Sequence, residues 1–473
     1  MKSERNTQEN PQNSWKNMNK IVYITRDIER ALGIIPNTNY QIITNRTPYS
    51  LAIQKSYPAF VHLVNPKSKD IVNDQGLLDT IELLKSDTTN KIINDSVDGK
   101  KGAIQNRAAI LVFKNTNMIE TIAKENGWIL LNPSTKLAEK IENKISQVEW
   151  LGEFGQKYLP PHTIALTKNL VWEKKPLIIQ WEHGHTGLGT ILINSQMELD
   201  ELKKKFPERT ARATNFINGP SFTVNIVVSP SQQDQTEQKK INAQVLIGNI
   251  SYQITGLPPF TDNVFSTIGN DWSLTHSLLS ESEIEEIHNM AKEIGSLMAR
   301  DGWSGLFGLD IMRDDEYGKI HLIEINARQP ASTTYESLLQ DKNRKNGVVG
   351  ITIFEAHLRA VFQYTETAKN SKVQEKALDL IIPINDGAQI IQRVTKKIQS
   401  VSSEETTEDT TNGSLDGITG TLELSGYNVI EYPNTELNTD FLRIQSEKGI
   451  METHGKFNTR GKKILEILAG DSL

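Results

Sequence analysis

The chain has no cysteine. Disulfides, thiolate metal sites and a cysteine nucleophile are therefore excluded. It also has no apolar run near the length of a membrane span. Residues 1–20 are rich in Asn, Gln, Lys and Ser and lack the apolar segment of a signal peptide. The expectation is a cytoplasmic protein with no membrane partner. Charge of one sign is missing too: 52 Lys and Arg stand against 58 Asp and Glu, a formal −6. No basic excess points to nucleic acid. What is present, 37% hydrophobic and 23% charged residues over 473 positions, fits a globular chain too long for one core. Roughly two to four domains are expected.

After the polar tail, apolar runs at Ile21–Ile24, Tyr40–Ile43, Phe60–Val64, Ala109–Phe113 and Trp128–Leu131 alternate with helical patterns. This predicts a small open α/β domain. It has no Gly-x-Gly-x-x-Gly, so it is not read as a dinucleotide site. Leu137, Ile141, Ile145 and Val148 predict one helix, with Lys140 and Lys144 on another face, where solvated surface is the ordinary outcome. Leu177–Trp181 and Ile191–Ile193 read as strands around the Gly/Thr loop His183 to Thr190. Its glycines can bring backbone N–H groups against phosphate oxygens. Ser221–Val228 and Ala243–Gly248 read as a hairpin with a polar tip. Ser280 and Glu283 form a capping box ahead of the apolar stripe Ile284 to Met298, the clearest helix in the chain. Val348 to Val361 fits another helix, and 417–424 reads as a short strand.

Two strands carry the densest chemistry. Gly305–Met312 and Ile320–Arg328 flank a polar turn, as in a hairpin. Glu324 and Asn326, two apart, project from one face, and a symmetric hairpin sets Asp310 opposite them. Two carboxylates and an amide oxygen on one spot are hard oxygen donors suited to Mg²⁺.

In order, these elements resemble the ATP-grasp superfamily, with nearest likeness to its carbamoyl-phosphate synthetase and biotin carboxylase branch. The match rests on Gly-x-Phe-Gly-x-Asp at 305–310 and Glu-x-Asn-x-Arg at Glu324, Asn326 and Arg328. The resemblance implies an α/β and α+β multidomain fold. A disordered tail (1–19) would precede a Rossmann-like pre-ATP-grasp domain (20–132) and an ATP-grasp domain (133–365) with its lid at about 165–228. A small C-terminal α+β domain (375–473) with a flexible loop at 400–414 would follow.

It further implies ATP and Mg²⁺, or Mn²⁺, as cofactors. Asp310, Glu324 and Asn326 would hold the metal, and Arg328 would grip an anionic substrate or acyl phosphate. Lys144 would reach a phosphate. Gly184, His185, Thr186, Gly187, Gly189 and Thr190 would close over the triphosphate, an assignment preferred to a His183/His185 metal pair. Phe216 and Ile217 would flank adenine, with backbone groups of Asn215 and Ile217 reading its edge. Gln253 would face the acceptor side, and Trp272 would pack.

The implied reaction turns a small-molecule carboxylate into an acyl phosphate for attack by an amine or similar nucleophile, in a protein compatible with a homodimer. Three positions depart from the pattern. Gln180 stands where many relatives carry lysine, Ser221 stands where relatives often place a ribose-binding carboxylate, and Gly308 stands where some have arginine. The cationic side of the site is thus expected to be thin unless Lys144 or another base compensates. This motivates two alternatives: a non-catalytic ATP-binding sensor or scaffold, and the ATP-using half of a larger complex.

Overall fold

Four-residue strands without a polar face need cover on both sides, and the N-terminal unit supplies it. In this computed structural model, which describes residues 20–65, 76–95, 109–182, 189–230, 243–363, 380–396, 398 and 411–470, β1 (Ile21–Ile24) and β4 (Ala109–Val112) are buried throughout. With β2 (Tyr40–Asn45), β3 (Val61–Val64) and β5 (Ile129–Leu130) they form a parallel sheet in the order β3-β2-β1-β4-β5. Such sheets bury both faces under helices. One face packs on Ile119, Ile122 and Leu83 from neighbouring helices. The other packs on Phe354, Leu358 and Val361, from the helix Ile353–Gln363 far along the chain. The opposite side of that helix sets Ile353, Ala356 and Ala360 against Val227 and Leu306 of the large sheet. One helix therefore lies between two sheets.

The second sheet, antiparallel and four-stranded, runs β6 (His162–Leu166), β9 (Thr210–Asn215), β7 (Leu177–Gln180), β8 (Thr190–Ile193). Its core is Leu177, Ile179, Ile193, Ala211 and Ala213, covered by Leu199 and Leu202 of the helix Gln196–Lys205. This sheet ends at Asn215. β10 (Ser221–Pro230), which the sequence reading counted with the lid, pairs along eight residues with β14 (Gly305–Arg313) and so belongs to the third sheet.

That third sheet runs β15 (Ile320–Asn326), β14, β10, β12 (Ser251–Thr255), β13 (Thr267–Asp271), β16 (Ala388–Arg393), β18 (Asp440–Ser446), β17 (Asn428–Glu431), with β11 (Ala243–Ile247) on β10. The helix Glu281–Arg300 opens with the expected capping box and buries Ile287, Met290, Ile294 and Met298 against this sheet. Through β13 and β16 the C-terminal strands continue the same sheet and share its core.

Two local expectations are corrected. Residues 417–424 are helical, within Thr411–Leu424, because Ile418 and Leu422, four apart, both enter the main core. The helix expected through Val148 stops at Glu142: Asn143 turns extended at ψ 122°, and its Oδ1 accepts the N–H groups of Ile145 and Ser146 to start a second helix, Ser146–Leu151. The tip of the β10–β11 hairpin and residues 400–410 of the loop expected over 400–414 lie outside the described residues, while 411–414 are not loop but the opening of the helix Thr411–Leu424.

Candidate active site

The β14–β15 register sets Asp310 directly across from Glu324 and Gly308 across from Asn326, with an irregularity just after Asp310. Asp310 Oδ1 accepts from Thr223 Oγ1 at 2.6 Å and Gln253 Nε2 at 2.7 Å; Oδ2 accepts from Asn326 Nδ2 at 2.9 Å. Three other strands, β10, β12 and β15, thus orient one carboxylate on β14. Burial, and then the facing Glu324, push the Asp310 carboxyl above its ordinary range. Among the described residues there is no cluster of three or more His, Asp or Glu. The site is instead a carboxylate pair with an amide alongside. Two facing carboxylates that repel each other in a desolvated place suit a hard dication, which cancels that repulsion.

Lys144 lies in the break between the two short helices rather than on a continuous helical face. It is 4% exposed, and its Nζ sits 2.6 Å from Glu324 Oε1. Burial, only partly offset by Glu324, lowers its pKa. Lys140, by contrast, is solvated and 3.6 Å from Asp301. Surface was the ordinary expectation for both lysines; the kink at Asn143 turns only Lys144 inward.

The cation the sequence reading missed is Arg212. On β9, Ala211 and Ala213 face the lid core, so strand parity turns Arg212 toward the cleft. It pairs across the ladder with Gln180, and its Nη2 donates to Gln180 Oε1 at 2.7 Å and to the Ile323 carbonyl at 3.3 Å. Its Nη1 donates to Gln147 Oε1 at 3.4 Å. The guanidinium is 2% exposed, and burial pushes its pKa down to about 10. An arginine between alanines on a short strand was a usable signal. Its pairing with Gln180 was not, because register is a tertiary fact.

Gln180 Nε2 points to Thr190 Oγ1 at 3.5 Å, across the base of the β7–β8 hairpin. Gly189 and Thr190 stand at that base; His183, Gly184, His185, Thr186 and Gly187 lie outside the described residues. At the end of β9 the Asn215 N–H is held by the Pro161 carbonyl and the Phe216 N–H by the Pro176 carbonyl. Phe216 is 40% exposed and Ile217 is buried. The linker is then clamped to the carboxylate hairpin: Gly219 sits at φ +155°, where a Cβ would lie 2.0 Å from the Arg313 carbonyl oxygen. Ser221 follows at the start of β10, opposite Gln253. Gln253, expected on the acceptor side, instead donates to Asp310. Trp272 packs on Tyr335 as expected.

Arg328 is set apart from Glu324. Its Nη1 donates to Glu142 Oε1, and Lys114 Nζ takes Glu142 Oε2 at 3.0 Å. Burial pushes Glu142 up, but Arg328 and Lys114 more than reverse this and hold it below the ordinary range. Lys114 follows β4, so Arg328 faces the crevice where the parallel sheet changes direction between β1 and β4, the usual ligand position in such sheets. Arg30, after β1, lies in the same region with its guanidinium 4.5 Å over the Phe113 ring.

Residues 141–332 match the model of a family described as ATP-grasp domain. No curated protein matches the chain. Among solved structures, the N5-carboxyaminoimidazole synthetase of Staphylococcus aureus complexed with ADP is similar over 97% of this chain and 98% of that one, at 11% identity and TM-score 0.54. The Aspergillus clavatus N5-carboxyaminoimidazole synthase, in complex with ADP and its aminoimidazole ribonucleotide, is similar over 95% and 98%, at 13% and 0.56. An L-amino acid ligase from Bacillus licheniformis is similar over 97% and 98%, at 14% and 0.50. At such identities the likeness is one of fold, and the mixed α/β multidomain architecture is common to all three. The chain carries an ATP-grasp domain over residues 141–332, its subfamily unassigned.

Proposed function

We propose that the protein is an ATP- and Mg²⁺-dependent ligase that activates a carboxylate as its acyl phosphate for attack by an amine or similar nucleophile. The observation that carries this reading is the Asp310–Glu324 pair, register-matched and flanked by Lys144, inside an ATP-grasp domain. Asp310, Glu324 and Asn326 would hold the metal, whose chemistry is to offset charge on the bridging phosphate oxygens. Thr223 and Gln253 keep Asp310 aimed. Lys144 and Arg212 add positive charge on the phosphate side. Phe216, Ile217 and the Asn215 backbone flank the base, and Gly189 and Thr190 root the closing loop.

A substrate carboxylate oxygen attacks the γ-phosphorus and ADP leaves. The nucleophile's nitrogen then attacks the acyl carbon, inorganic phosphate leaves, and the nitrogen's proton passes to solvent. No protein base is needed, so rate comes from positioning and charge. Arg328 would hold the anionic acyl phosphate once it exchanges Glu142 for substrate.

The rival reading, an ATP-binding sensor without turnover, rests on Gln180 and Ser221. Arg212 beside Gln180 weakens it. Incubation with ATP, Mg²⁺ and pooled carboxylic and amino acids, followed by phosphate release, separates the two. Turnover lost in Glu324→Ala supports the ligase; saturable ATP binding with no turnover across broad pools supports the sensor.

A further inference from the structure

Arg212 is a buried charge with no direct ion-pair partner among the described residues; Glu324 bears on it through space only, being itself engaged by Lys144. Its hydrogen-bond partners are the Gln147 and Gln180 amide oxygens and the Ile323 carbonyl, all neutral, and its Nε is buried without a partner among the described residues. No carboxylate lies within ion-pair distance of it among those residues, whereas Lys144 beside it is paired to Glu324. Burying an ion with only neutral partners costs several kcal/mol unless something else in the site meets the charge. Gln147 is itself committed, its Nε2 donating to the Ile141 carbonyl at 2.9 Å, so its oxygen is aimed at Arg212 and nowhere else. Gln180 is held likewise: with Oε1 taken by Arg212, its Nε2 must point the other way, to Thr190 at the root of the glycine loop.

We propose that Arg212 and Gln180 act as one split cationic group, in which the guanidinium on β9 supplies the charge and polarises Gln180, whose amide donates to an anionic oxygen of the nucleotide's phosphates. This rests on the ligase reading's assignment of the cleft to ATP. It explains how a strand with glutamine in place of lysine still serves the phosphate end. The charge has moved one strand over and is relayed by a hydrogen bond that a charged donor strengthens. Arg212 is thus a positioning residue, and Gln180 the one that touches ligand.

The test relocates the charge. In the full-length protein, binding of MgATP is titrated for Gln180→Leu, Arg212→Gln and the double variant Gln180→Lys/Arg212→Gln, with melting curves alongside. Gln180→Leu keeps the arginine and removes only the relay, and is expected to weaken ATP roughly ten- to hundred-fold. Arg212→Gln is expected to lose a similar factor, and the double variant to recover most of it, which a purely structural role for Arg212 would not produce. Wild-type affinity in Gln180→Leu, or a folded double variant no better than Arg212→Gln, overturns the proposal. A wild-type protein that binds no ATP overturns the ligase reading itself and this inference with it; tight wild-type binding with indifferent variants overturns the split cation alone.

Discussion

At the scale of single residues, the site is decided by what each strand position can accommodate. Gly308 lies beside Asp310 with its missing Cβ directed at Pro330: a methyl there would sit 2.7 Å from Pro330 Cγ, closer than real contacts allow. Pro330 follows Arg328 and Gln329, so the strand cannot yield without disturbing the loop that carries Arg328. The arginine that the resemblance gives for some relatives at this position is therefore excluded here by packing. Gly308→Ala should cost roughly 1–3 kcal/mol in a denaturant titration, the ordinary range for overpacking; an unchanged midpoint would mean that Pro330 can move. The metal-side residues were legible because strand parity alone groups Glu324 with Asn326. Lys144 was named only through the family resemblance, its spacing alone reading as surface, and Arg212 was missed. Their inward aim comes from a side-chain cap at Asn143 and from a four-stranded register, neither of which a linear pattern encodes.

At the scale of elements, long periodic segments declared themselves and short ones did not. The Glu281–Arg300 helix has a capping box and apolar repetition along its 20 residues, while 417–424 has only eight residues that alternate and repeat at four equally well. Burial of Ile418 and Leu422 settles it as helix. One element carries an unanticipated burden. Glu336, in the first turn of the helix Thr333–Lys345, is wholly buried and meets no cation among the described residues; it accepts from Asn225 Nδ2 at 2.6 Å, the Asn249 N–H at 2.7 Å and Gln340 Nε2 at 3.2 Å. Burial pushes its carboxyl from 4.5 up to about 7 despite those donors. Between those values the folded chain holds a proton that the unfolded chain has released. The associated stability is therefore full below pH 4.5 and is lost as pH rises through about 7. Its size is at most about 3 kcal/mol. Urea titrations at pH 5 and 8 should show the wild type losing more stability across that interval than Glu336→Gln does, even though the glutamine is weaker throughout for want of an acceptor. Equal losses would sink the assignment.

At the scale of the whole molecule, the parallel sheet and the large antiparallel sheet meet at the turn after β1, and the joints are polar. Tyr23, at the centre of β1 and fully enclosed, donates to Gln329 Oε1 at 2.6 Å, and Gln329 Nε2 donates to the Arg30 carbonyl at 2.8 Å. On the C-terminal side Tyr432 donates to Glu29 Oε1 at 2.8 Å and Arg26 Nη2 to Asn434 Oδ1 at 2.6 Å. The turn after β1 is thereby read by both neighbours at once, and the residue next to Arg328 is one of the readers. Tyr23→Phe keeps the ring packing on Phe354 but leaves the Gln329 oxygen buried without its donor, a loss of roughly 1–3 kcal/mol. Because Gln329 adjoins Arg328 and is remote in sequence from the adenine-side linker, the variant should bind MgATP like wild type while turnover with a productive carboxylate falls severalfold. Binding and turnover measured on the same preparation decide this. Parallel losses in both would place the effect on global folding, whereas turnover alone falling would establish that the N-terminal sheet steers Arg328 through a single buried hydrogen bond.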